Sequence, residues 1–399
     1  MMRFVVIGIL SMIVGAFLGY QQPGERDRMG LSESPSAEEL ETAVSDALQD
    51  LHPTRQRDRI ARLAQKMTAE NAGGAIRAIE DRIGVTSECT LKPLMSAYAR
   101  IDPDAAFSAA MGWDLWSKRV QGGAEVARSV AARGDPDRAL ALAASVSVPK
   151  TVEGVIGGAI TGWVQAGSLD RPTKYLQSLP VGTNLDDAID GVLATLYLKG
   201  GIEEIMNWVD SIPMAPSVYV RKRSFGKALH WVANRDPLAA AEWYERNRQY
   251  KFARVGPSIV VTEWMEHDPE AATAWLLSQP DDGLRSQTFF TAGGRLVAND
   301  PSAAYSWALH LEPAEEVDRV LMHVADSQFH DDPSRSLELA SKITNQAKKH
   351  RYLYRTLRKW QTQSPEEAAA WLARHELPET VARRLAQSSE DDDVPGIDG

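Results

Sequence analysis

Hydrophobic positions fall into two regimes along this chain. Residues 4–20, FVVIGILSMIVGAFLGY, are apolar without a single charge. From residue 36 onward, apolar residues instead recur three and four positions apart, the mark of amphipathic helices. The first run predicts a helix of roughly 25 Å, close to the thickness of a bilayer core, with no polar face to suit a water-soluble core. Arg3 precedes the run, and the flank Glu25, Arg26, Asp27, Arg28 is neutral. The positive-inside rule then predicts a single pass in the inner (plasma) membrane, the N-terminus in the cytoplasm and the body extracytoplasmic or periplasmic. The competing reading is a cleaved signal peptide that would release the body as a secreted protein. A cut after Gly19 would put Phe17 at the −3 position, where a small residue is required, so an uncleaved anchor is favoured. Gly8, Ser11, Gly15 and Gly19 share one face of this helix. The Gly15–Gly19 spacing suits close approach of two membrane helices, and so a homodimer.

Residues 21–35 are polar, with two prolines and two glycines, and read as a linker. Ser36 and Glu39 have capping-box spacing and predict a helix to about Leu51. A ladder follows: Pro237, Pro269, Pro301, Pro333 and Pro365 stand 32 residues apart, preceded by Asp236, Asp268, Asp300, Asp332 and Ser364. Asp102-Pro103 and Asp135-Pro136 carry the same mark, and Leu169 and Ile202 hold its place where the proline is lost. Asp at an N-cap accepts hydrogen bonds from free backbone N–H groups, and proline at the first helical position forfeits no bond. Three positions on come Ala106, Ala139, Ala240, Ala272, Ala304 and Ala368. Six on come Trp208, Trp243, Trp275, Trp307 and Trp371, with Tyr175, Leu142 and Leu339 as variants. Each short helix therefore buries one small and one large residue on the same side. On that reading Trp275→Ala costs about 3–5 kcal/mol and Asp268→Ala about 1 kcal/mol.

Pro149, Pro180, Pro213, Pro280, Pro313 and Pro378 are expected to stop the short helices. The second helix shows apolar residues five, eight and twelve positions before the next ladder proline, as in Trp360, Leu357, Leu353 and in Leu296, Gly293, Phe289. Such a hairpin cannot bury both faces alone, so the units must stack. The fold class expected is all-α: about ten hairpins of 32–33 residues from residue 54, the first centred near Glu70, in one array over 36–387. An acidic, disordered tail is expected over 388–399.

The period, the paired helices and the small residue followed by an aromatic, as in Asp268 to Trp275, resemble tetratricopeptide-type α-solenoids in a divergent bacterial form. The resemblance implies a right-handed superhelix whose concave face holds a protein or peptide. It implies no catalytic residues, because the shared positions are packing positions.

Composition sharpens this picture. The 399 residues suggest two or three domains by length, but an array grows by adding units. Nine of eleven tryptophans, all but Trp113 and Trp116, occupy recurrent positions. The single cysteine, Cys89, placed in an inter-helix turn, excludes a disulfide framework and cysteine-based metal cages. A net charge of −10 argues against a nucleic-acid partner. His323 and His330, seven apart on one expected helix, are too far apart to share a metal, and no other metal spacing is present. Gly154, Gly157, Gly158, Gly293 and Gly294 lack phosphate-loop context and read as close helix packing, and Asp186–Asp187 and Glu203–Glu204 read as helix starts. No cofactor is expected.

The strongest charge feature is KKHRYLYRTLRK, residues 348–359, where Arg351, Arg355 and Arg358 share a face suited to an acidic partner. A shorter run is Arg221-Lys222-Arg223. The sequence thus predicts a membrane-anchored, non-catalytic repeat scaffold for a protein or peptide. The rivals are a helical-toroid enzyme or carbohydrate binder of the cell envelope, which needs convergent acids or aromatics, and a structural spacer.

Overall fold

The computed structural model describes residues 31–215, 218–280 and 283–392. The apolar run over 4–20, with Gly15 and Gly19, lies outside the described residues. Among the described residues no helix is long and apolar enough to cross a membrane.

The described chain is helical throughout, without strands, and separates into two compact units meeting at residues 168 and 169. The first unit holds α1 (Ala37–Leu48), α2 (Pro53–Gln65), α3 (Ala72–Glu80), α4 (Glu88–Ile101), α5 (Pro103–Gly112), α6 (Trp116–Ala132), α7 (Pro136–Ala144) and α8 (Pro149–Gln165). The second holds α9 (Asp170–Ser178), α10 (Asp186–Ser211), α11 (Tyr219–Ala233), α12 (Pro237–Asn247), α13 (Gly256–Trp264), α14 (Pro269–Ser278), α15 (Arg285–Asn299), α16 (Pro301–His310), α17 (Asp318–Gln328), α18 (Pro333–Ser341), α19 (Gln346–Gln363), α20 (Pro365–Leu372) and α21 (Glu379–Asp392). Short and long helices alternate. In the first unit the second helices pack side by side, α2 on α4, α4 on α6 and α6 on α8. In the second unit α11, α13, α15 and α17 do the same.

The ladder behaves as its chemistry requires. Asp102, Asp135, Asp236, Asp268, Asp300 and Asp332 each accept a backbone N–H at the start of their helix, with proline in the first turn. Ser364 makes no such side-chain bond. The six ladder alanines are all fully buried, and Trp208, Trp243 and Trp307 are buried beside them. Tyr175, Trp275 and Trp371 are only half-buried. The stripe of the second helix holds too: Phe289, Gly293, Leu296, Leu353, Leu357 and Trp360 are buried.

Several expectations need correction. Ser36 and Glu39 form the expected capping box, but α1 stops at Leu48 and packs on α3, so it belongs to the stack. Residues 31–35 are not free linker: Lys66 Nζ donates to the Ser32 carbonyl at 3.2 Å, and Asn71 Nδ2 to that of Pro35 at 2.9 Å. Pro149 opens α8 rather than closing α7, because proline suits a first helical turn as well as a stop. Leu169 is the N-cap, one place before the expected position. Ile202 lands as registered. It resumes a helix after a break at Gly200–Gly201, where Gly201 has φ 71° and ψ −152°, a conformation that only glycine adopts readily. Asp186 and Asp187 open α10, and Glu203 and Glu204 follow the break. Cys89 is exposed in the first turn of α4, not in a turn between helices. His330 lies beyond the end of α17, while His323 is within it. α21 runs through Asp392, so helix extends into the segment expected to be disordered.

Candidate binding surfaces

The two tryptophans outside the repeat frame stand at the junction of α5 and α6 of the first unit. Trp113 is buried, and its ring fills the space above Gly122, where a Cβ would come within 2.5 Å of it. Trp116, three residues on, is 53% exposed, with Lys150 Nζ 5.5 Å from its ring centre. Beside them lies an open cavity of about 640 Å³ between α5 and α7. Phe107 and Met111 of α5, Leu142 of α7 and Val148 before α8 give it an apolar wall. Asp104 and Arg138 close one side with an ion pair of 2.7 Å. Arg119 lines it from α6, without an ion-pair partner among the described residues. This groove exists because small helices alternate with larger ones: α5 and α7 are both short, and the turn at 145–148 leaves the space between them uncovered.

Part of the basic segment 348–359 is engaged by its own neighbours. Arg355 pairs with Asp326 at 3.1 Å and lies over the Tyr352 ring at 5.1 Å. Lys359 lies over Phe329 at 4.3 Å. Arg351 is exposed, and Arg358 is half-buried and has a partner. Tyr352 donates to Asp326 at 2.8 Å; burial, with this bond, pushes its hydroxyl well above the usual phenol range. Buried Asp318 accepts from the Thr344 and Asn345 backbone N–H groups at 2.7 and 3.0 Å and so holds the turn that starts α19.

In the second run, Arg221 is absorbed in packing. It donates to the Ile212 carbonyl at 3.1 Å and lies over the Tyr250 and Phe252 rings. Arg223 pairs with Asp186, while Lys222 is exposed.

One buried carboxylate joins three successive repeats. Glu263 of α13 is bound by Arg295 of α15. It accepts from Asn234 Nδ2 at 3.1 Å, and His230 Nδ1 of α11 lies 3.2 Å away. Arg295 also meets Glu266 at 2.5 Å. Glu263 is thus held by Asn234 and Arg295 from the same stack, with His230 in reach, as a buried carboxylate requires. Among the described residues no three histidine, cysteine or acidic side chains gather as a metal site would require.

Sequence reasoning did not find the groove, Arg119 or the Glu263 node. The signal available for the groove was the pair of out-of-frame tryptophans; nothing in the sequence pointed to the node. No protein-family model matches the chain, and neither a curated protein nor a solved structure matches it.

Proposed function

We propose that this chain is a non-catalytic helical-repeat scaffold, anchored in the membrane by residues 4–20, that holds a protein or peptide on its body outside the cytoplasm. We read the array as a tetratricopeptide-like, right-handed α-solenoid. The observation that carries the binding role is the groove over α5 and α7. Its apolar wall suits the side chains of an extended segment, and Arg119 offers a cation to a carboxylate of that segment. Stacked repeats hold such a surface preformed, which lowers the ordering cost of binding. The anchor raises the effective concentration of the scaffold for any partner on the same membrane. The reading calls for no cofactor and gives nucleic acid no role.

The test is capture by the full chain against the same chain with Arg119→Glu and Val148→Asp, neither of which disturbs the core. A partner retained by the parent and lost from the variant supports the role. Equal recovery from both, or no reproducible partner from either, removes it.

A further inference from the structure

Exposed apolar residues in the second unit gather at the turns joining the first and second helix of consecutive repeats. Val181 is 76% exposed; Met214, Val218, Tyr250 and Val255 are exposed as well. These three turns are stitched together. Tyr219 Oη donates to the Thr183 carbonyl at 3.1 Å, and the Arg221 guanidinium lies 5.7 Å from the Tyr250 ring centre. Tyr250 in turn stacks on Phe252, at 5.2 Å and 9°. These side chains are exposed at the turns, Val255 by 52%.

Two of the three turns are basic, whereas the Val181 turn leads into Asp186 and Asp187. Residues 210–223 and 245–255 carry seven cations, Arg221 to Arg223, Arg246, Arg248, Lys251 and Arg254, against Asp210 and Glu245, in a protein of net charge −10. Lys222 and Lys251 are exposed and have no ion-pair partner among the described residues. The feature also ends abruptly. The next two turns carry Asp281 and Asp282, then Glu312, Glu315 and Glu316, and the large exposed apolar residue beside them is Leu277, at the end of α14.

We propose that this edge docks on an anionic lipid surface, with Met214, Val218, Tyr250 and Val255 entering the headgroup layer and Lys222 and Lys251 meeting lipid phosphates. Exposed apolar and aromatic side chains beside the exposed cations Lys222 and Lys251 are the chemistry of peripheral membrane contact. An acidic protein would answer the charge, but it would leave the exposed apolar residues without a complementary pocket. The inference shares the membrane with the anchor reading but does not need the anchor.

The experiment uses the full chain with Cys89→Ser and a single cysteine at Val255→Cys, carrying a polarity-sensitive dye. Vesicles of phosphatidylcholine with phosphatidylglycerol are compared with phosphatidylcholine alone. The dye shifts to the blue with anionic vesicles only, and Lys222→Gln with Lys251→Gln weakens the response about 30-fold. A dye at Leu238→Cys, an exposed apolar position at the start of α12, stays unshifted. Full-chain association without a shift at 255 overturns this inference and leaves the anchor standing. A shift at 255 in a chain that neutral vesicles do not retain upholds it without the anchor. Equal shifts at both dye positions, or a shift produced by an acidic peptide and not by vesicles, overturn it.

Discussion

The second helices of the repeats are joined in two different ways. In the first unit, α6 and α8 meet through glycine. A Cβ on Gly158 would fall far inside contact distance of the Ala124 carbonyl oxygen, and one on Gly162 inside that of Arg128. The backbones themselves touch, and beside them Arg128 bonds buried Glu125 at 2.8 Å and reaches Gln165 of α8 at 2.7 Å. In the second unit, α11, α13 and α15 stand behind side chains: Glu263, Arg295, Asn234 and His230 bridge the seams. The first solution is mainly steric, and its glycine contacts do not depend on salt. The second is electrostatic and responds to solvent. One repeat period thus accommodates seams of different width and chemistry, provided the short helices keep their caps.

Four measurements would break or sharpen that contrast. The largest effect belongs to the second unit, where indoles occupy the volume that glycine eliminates in the first. Trp243 is fully buried against Phe225, so Trp243→Ala costs about 4 kcal/mol in chemical denaturation. Trp275→Ala, at the same repeat position but half-buried, costs visibly less than the sequence-based expectation. Equal losses would mean that burial does not set the cost.

Next comes Gly158→Ala. Its methyl group meets backbone, which cannot rotate away, so the loss is about 3 kcal/mol and independent of salt. A loss below a few tenths would show that the helices of the first unit slide apart freely. Glu263→Ala follows, at about 2 kcal/mol in low salt, because it leaves Asn234 without this acceptor and Arg295 with Glu266 alone. The difference from the parent narrows in high salt, whereas that of Gly158→Ala does not.

The smallest effect is a pH dependence. Burial, reinforced by a hydrogen bond to Glu338 one repeat on, pushes the Tyr305 hydroxyl up to about 12, from 10.0. The folded state holds this proton more tightly than the unfolded state. The contribution is therefore complete below pH 10 and is lost as pH rises toward 12. Tyr305→Phe flattens that part of the stability profile.

What could be read from the sequence was whatever depends on near neighbours in the chain. Asp268 before Pro269 is a cap wherever it stands, so the start of nearly every short helix was legible. Gly293 and Phe289 declared a packed face by spacing alone. Pro149 shows the limit, since the same residue ends one helix or begins another according to where the preceding turn closes. The groove and the Glu263 node were illegible for a different reason. Which face stays open beside Arg119, and which donors reach a carboxylate from 29 and 32 residues away, is decided by the stacking of units. That Arg355 of the Lys348–Lys359 segment meets Asp326 was likewise hidden, because Asp326 lies on another helix.

The even spacing of the Asp-Pro caps has a mechanical meaning. A chain held at one end and drawn from the other would not yield continuously but hairpin by hairpin. Each released repeat of 32 residues would add about 110 Å of extended chain. The array would pay out length in near-equal steps, broken at the loopless Gly200–Gly201 junction. There two repeats share one element, and a longer double step is expected.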